Sequence, residues 1–333
     1  MNTYRKQADK LLLFLGLLLA VVFILSVFIG RYPEPFWMPL SVLLEQSLAQ
    51  KLVFSLRLPR LIMAMLLGMS LSACGETLQM IFRNPIVEPG FLGVSQGAAF
   101  GAAVGILFLG GGGVTIKLSA TACALLGLSF SFLLARYLRF GGWVLRLVLS
   151  GIVVSALLSA GLGVMKYLAD PLTELQEITF WLLGGLWSVT WRDVLFVLPV
   201  VVIGLLTAHL LRWRLNVLSL NEETAFSLGS RVTKERALLL IFLVAAVAMI
   251  TSVSGIVNWV GLIVPHLARR IVGPNAQFSM PASMLMGGIF VILCDNIART
   301  LLAGEIPLGI ITSFLGALIF VVLMTRRKLR FKK

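Results

Sequence analysis

Uncharged apolar runs of membrane-crossing length constrain this chain more than any other feature. From Leu11 to Ile29 no residue carries a charge. A helix crossing a bilayer core needs about 20 mostly apolar residues. Runs of this kind recur, separated by charged or Gly/Pro-rich breaks. They give ten candidate spans, at 11–30, 60–82, 91–109, 115–138, 144–168, 192–212, 236–253, 256–271, 281–299 and 307–325. The eighth is short and contains Pro265, and the second and third are separated only by the Arg83-Asn84-Pro85 turn. Interrupted segments belong where helices line a cavity, because lipid cannot satisfy irregular backbone. Only 13% of residues are charged, about half the ~25% of soluble domains. That excludes a soluble enzyme, a disordered chain and a nucleic-acid-binding domain. The expected fold is all-α, a single polytopic membrane domain over residues 1–333.

The chain nevertheless carries 28 Lys and Arg against 14 Asp and Glu, a net charge of +14. Lys and Arg collect in cytoplasmic loops of membrane proteins. With the N-terminus in the cytoplasm, ten spans return the C-terminus there, and twenty of the 28 basic residues fall on that side, including the tail after residue 325. Most of the excess is therefore topological, and a basic tail beside a membrane meets anionic lipid rather than nucleic acid. The N-terminal apolar run is longer than a signal-peptide core and reads as a retained first span. Cys74, Cys123 and Cys294 lie inside apolar runs and read as small hydrophobes.

Three arginines do not fit the topological account. Arg57 and Arg60 flank Pro59 at the outer mouth of the second span, and Arg299 closes the ninth on the same side. They read either as snorkelling side chains or as a cationic cluster that docks an acidic partner. Glu76 and Asp295 are carboxylates at membrane depth, where ionisable groups face a bundle interior or a water-filled path. Between spans six and seven, the stretch 220–229 reads as a short helix. Asn221 suits the N-cap, Glu222 and Glu223 the first turn, and Gly229 the stop. It reads as a solvated connector or as a helix that plugs into a partner's groove. No G-x-x-x-x-G-K-[ST] sequence occurs, so this chain is not expected to hydrolyse ATP. One alternative is a proton-coupled secondary transporter using Glu76 and Asp295. Another is an integral-membrane enzyme, for which no catalytic constellation stands out.

At these residues the sequence resembles a known family, the FecCD-type permeases of type II ABC importers for ferric siderophores, haem and cobalamin. The resemblance rests on Arg57-Leu-Pro-Arg60, Gly75 with Gln79, Arg83-Asn-Pro-Ile-Val-Glu-Pro89, Gly93-Val-Ser-Gln-Gly97 and Trp181-Leu-Leu-Gly184. It continues through 220–229, Val260-Gly-Leu-Ile-Val-Pro-His-Leu-Ala-Arg269, Asp295-Asn-Ile-Ala-Arg299 and Glu305-Ile-Pro-Leu-Gly309. It implies a fold like the cobalamin-importer permease, working as a homodimer or paired heterodimer in a bacterial or archaeal inner membrane. The path would run between the two subunits. Two ATPase subunits, carrying ATP and Mg, would sit on the cytoplasmic side and a substrate-binding protein outside; this chain would bind no cofactor or metal itself.

Residue by residue, the resemblance makes Arg57, Arg60 and Arg299 the arginines that face acidic residues of the binding protein. It makes Asn221, Glu222, Glu223, Ala225, Phe226, Leu228 and Gly229, within a segment at about 216–232, the part that contacts the ATPases. Glu76, Gln79, Asn84, Pro85, Ile86, Val144 and Leu145 become candidates for the gate and path. The family also includes importers of oxyanions such as molybdate. Two departures bear on substrate: Glu76 stands where a small apolar residue is common, and Gly316-Ala-Leu-Ile-Phe320 replaces Gly-x-Pro-x-Phe.

Overall fold

A computed structural model describes residues 2–33, 36–302 and 304–325. The basic tail residues Arg326, Arg327, Lys328, Arg330, Lys332 and Lys333 lie outside the described residues. The first helix, α1 (Asn2–Phe28), ends at a small antiparallel ribbon of β1 (Ile29–Gly30) and β2 (Phe36–Trp37). Two short helices follow, α2 (Leu40–Glu45) and α3 (Ser47–Leu52). A π-helical turn at Val53–Arg57 then joins α3 to α4 (Leu58–Phe82), making one continuous helix from Ser47 to Phe82. Pro59 follows the π-helical turn directly, inside this continuous helix, where the regular hydrogen-bond ladder is already displaced. The helix stops at Arg83, which takes the left-handed conformation at φ 49°.

From here a pattern of lengths repeats. The first half holds the long α4, the short α5 (Val94–Phe108), then α6 (Gly113–Tyr137) and α7 (Trp143–Leu168). The second half holds the long α12 (Val232–Ser254), the short α13 (Val260–Val272), then α14 (Ala276–Thr300) and α15 (Leu308–Thr325). Between the halves lie α8 (Glu174–Leu183), α9 (Trp191–Leu210), α10 (Arg212–Leu218) and α11 (Glu222–Ser227). All ten expected spans coincide with helices, yet among the described residues eight helices are long and apolar enough to cross a membrane. The exceptions are α5 and α13, shorter than the expected 91–109 and 256–271. Each starts after irregular backbone with a left-handed residue before it, Gly93 at φ 80° and Trp259 at φ 73°. Hydropathy counts the irregular approach as part of the run, which is why the sequence lengthens both. Short segments at matching positions of two halves mark the place where a membrane protein builds a cavity.

The core runs along α4, which packs against α12, α13 and α14, while α5 packs against α6 and α7. Small residues set these crossings. A Cβ at Gly68 would overlap the Gly287 carbonyl on α14, and one at Gly75 would overlap the Gly261 carbonyl on α13. Lipid gives apolar side chains no reason to cluster, so helices associate through close backbone approach of this kind. Pro199, Pro265 and Pro281 sit inside helices, as neighbouring helices allow in membranes.

Candidate translocation and coupling sites

The three outer arginines are brought together, but not as free rim charges. Arg57, Arg60 and Arg299 are only 8%, 9% and 6% exposed. Arg60 on α4 reaches Asp295 on α14 at 2.9 Å and both oxygens of Glu305 at 2.8 Å. Arg299 donates to the Ser26 carbonyl at 2.7 Å and to Asn296 at 2.5 Å, with Asp295 at 3.6 Å. Arg57 donates to the carbonyls of Val27 and Tyr32 at 2.9 and 3.1 Å. The three arginines thus form one cluster whose guanidinium groups are largely buried and partnered. Buried guanidinium groups need partners, and two carboxylates offset two of the three charges. All three arginines and Glu305 still line an open cavity of about 290 Å³, so the cluster keeps a net positive face. The i, i+4 spacing of Asp295 and Arg299 was visible in the sequence; the reach of Arg60 to both acids was not.

Glu76 also has a different setting from a path-lining carboxylate. It is fully buried. Arg269 on α13 donates to one of its oxygens, and the Ser279 hydroxyl on α14 donates to the other at 2.5 Å. Arg269 donates to Gln79 as well, whose amide donates to the carbonyls of Gly261 and Leu262 at 3.2 and 3.1 Å. Glu76 and Gln79 thus belong to helix packing. Arg269, counted as a topological anchor from sequence, is the residue that neutralises Glu76.

The open space lies where the two short helices begin. A cavity of about 540 Å³ is lined by Ile86, Glu88, Ser95 and Gln96 from the approach to α5, by Asn258 and Trp259 before α13, and by Ser155 on α7. Glu88 and Trp259 face the same cavity, one from each approach. Of the seven path candidates only Ile86 lines this cavity, and it is 57% exposed. Asn84 shapes the turn by accepting from the Ile86 N–H at 3.0 Å; Pro85 is exposed beside it. Val144 and Leu145 follow Trp143, whose ring lies 5.8 Å from the Arg236 guanidinium; Val144 packs against the core and Leu145 is exposed. Glu88, Asn258 and Trp259 were missed because each is an ordinary loop residue until the two approaches meet. Gly93-Val94-Ser95-Gln96-Gly97 also has the G-x-S-x-G spacing of a hydrolase nucleophile. Here Ser95 opens a helix after a 3₁₀ turn, not a strand, and no histidine is among the cavity's lining residues.

At one end of the bundle, α11 occupies the expected place. Asn221 takes the N-cap backbone position, but its side chain does not cap; it accepts from Arg83 at the end of α4. Glu222 pairs with Arg236 at 3.0 Å, and Arg236 also donates to the Leu218 carbonyl at 2.8 Å. Glu222 and Glu223 fill the first turn, and Gly229 turns the chain at φ 78°. Ala225 is wholly buried, whereas Phe226 and Leu228 are 77% and 63% exposed. The result is an apolar knob beside acidic side chains, anchored to α4 and α12. The preceding α10 was not expected, because its seven residues are too few for a periodic signal.

Residues 18–326 match the model of the FecCD transport family. This chain belongs to the FecCD transport family. Among its FecCD relatives is the molybdate import system permease protein MolB of Haemophilus influenzae, 36% identical over 329 residues and covering 96% of both chains. Another, from Helicobacter pylori, is described as a probable iron chelatin transport system permease protein. It is 40% identical over 286 residues and 85% of each chain. A solved structure of an ABC transporter assigned to the metal-chelate type, in an inward-facing conformation, superposes with a TM-score of 0.87. It is 37% identical and covers 95% of this chain and 99% of its own. The FecCD chain described here is accordingly a multi-pass membrane transport component.

Proposed function

We propose that this chain is the membrane-spanning permease of an ATP-driven, binding-protein-dependent importer of a metal chelate, with iron–siderophore, haem and cobalamin as the substrate class. The observation that carries the reading is the near-complete likeness to a metal-chelate type ABC transporter. It is supported by an exposed apolar knob, Phe226 and Leu228, on a helix tied into the bundle. Two ATPase subunits would receive that knob and hydrolyse ATP with Mg. A second copy of the chain would complete the path in the inner membrane, with both termini in the cytoplasm. A binding protein would dock over the net-positive outer cavity at Arg57, Arg60 and Arg299. Motion of the coupling helices would expose the path to one side at a time, the two states differing in affinity for the cargo.

Molybdate is the second reading, carried by the 36% identical relative of that name. Proton-coupled transport fits less well, since Glu76 and Asp295 are both held by arginines. Purification in mild detergent tests the class. An ATPase bearing a Walker motif should come down with this chain; uptake into vesicles without any ATPase would refute the reading.

A further inference from the structure

A separate polar cavity, of about 430 Å³, opens at the end of the bundle that carries the chain's N-terminus and the corner between α9 and α10. Three helices meet there, and each changes from polar to apolar with depth. On α1, Arg5 and Asp9 precede Leu12; on α14, Gln277 precedes Phe278 and Pro281; at the end of α9, Leu210 gives way to Arg212 and Trp213. This layering matches the boundary between lipid headgroups and acyl chains, where tryptophan and arginine concentrate.

The walls are fixed. The Tyr4 hydroxyl donates to the Val272 carbonyl, and its ring stands edge-on to Phe278 at 5.7 Å. That contact sets Arg5 and Asp9 against α14. At the corner, one Nη of Arg212 donates to the His209 carbonyl, while its buried Nε has no hydrogen-bond partner. Arg212 lines the cavity alongside Arg5, and guanidinium groups facing a cavity favour an anionic acceptor. Arg5 reaches Asp9 at 4.0 Å, too long for a strong hydrogen bond. Two guanidinium groups against one carboxylate leave the cavity positive, and phosphate is the oxyanion that guanidinium geometry fits best.

We propose that this cavity seats the phosphodiester headgroup of an anionic phospholipid from the surrounding leaflet. The phosphate lies between Arg5 and Arg212, and the acyl chains run down past Leu12 and Pro281. The lipid ties α1 and α14 to the corner from which α10 and α11 leave. Calling that leaflet cytoplasmic rests on the function proposed above; the binding does not.

Native mass spectrometry of the delipidated, detergent-solubilised transporter tests the proposal, with phosphatidylglycerol, phosphatidylcholine and inorganic phosphate as probes. Phosphatidylglycerol should be retained several-fold better than phosphatidylcholine, and Arg5→Ala/Arg212→Ala should lose that preference. Arg5→Gln alone, at a position exposed on α1, should weaken it in a fully folded protein. Equal retention in wild type and variants, or equal retention of the two lipids, would overturn the site. Displacement of the lipid by millimolar phosphate would overturn the lipid source in favour of a soluble anion. Absence of a co-purifying ATPase would defeat the functional reading while leaving this result standing.

Discussion

Arg269 in the last turn of α13 neutralises Glu76 in the C-terminal part of α4, across 193 positions of sequence. The same guanidinium holds Gln79, so one side chain fixes the short α13 against α4. Removing one partner of a buried pair leaves an uncompensated charge, at a cost of about 3–5 kcal/mol. Arg269→Ala and Glu76→Ala should each lower the melting temperature of the detergent-solubilised protein by several degrees. The double variant should lose less than the sum. Strict additivity in that cycle would show that the two side chains do not interact.

Glycine substitutions should divide sharply by position. Gly68→Val and Gly75→Val force carbon into the carbonyls of Gly287 and Gly261. Separating those helices removes close packing along the core, and folded yield in the membrane should collapse. Gly163→Ala meets nothing within 4 Å and should leave yield unchanged. Size-exclusion profiles of tagged protein report both outcomes.

Within the coupling segment, Ala225 and Phe226 should respond differently to a charge. Ala225 is buried inside this chain, so Ala225→Glu should lower its own melting temperature. Phe226 projects outward, so Phe226→Glu should leave melting unchanged and abolish transport-linked stimulation of the ATPase. Normal stimulation in Phe226→Glu would remove α11 from the coupling role.

Outside, Arg57 is the cleanest probe of docking, because it donates to backbone carbonyls rather than to carboxylates. Arg57→Ala should slow association of the binding protein several-fold at low salt. The difference should close near 0.5 M salt, where the Debye length falls to about 4 Å. An unchanged association rate at low salt would exclude Arg57 from the docking face.

How much the sequence discloses depends on how far each signal reaches. All ten helical segments expected from hydropathy exist, because the length and polarity of a run are local properties. The shortness of α5 and α13 was hidden, since Gly93 and Trp259 break the helix without breaking the apolar run. Asn221 and Gly229 were legible as helix ends from their backbone preferences, although the Asn221 side chain turns to Arg83 instead. Pairings across the fold were not legible. Arg60 meets Glu305 and Arg269 meets Glu76 only because helices distant in sequence pack together. A charge count registers neither pairing.

The central claim is that this chain carries a metal chelate inward at the expense of ATP hydrolysed by a partner. Uptake of a radiolabelled ferric chelate into proteoliposomes, containing the chain with its co-purified ATPase and loaded binding protein, tests it most directly. Accumulation should require ATP, and Phe226→Glu should abolish it without loss of the assembled complex. Accumulation that persists without ATP, or that follows an imposed proton gradient, would contradict the account.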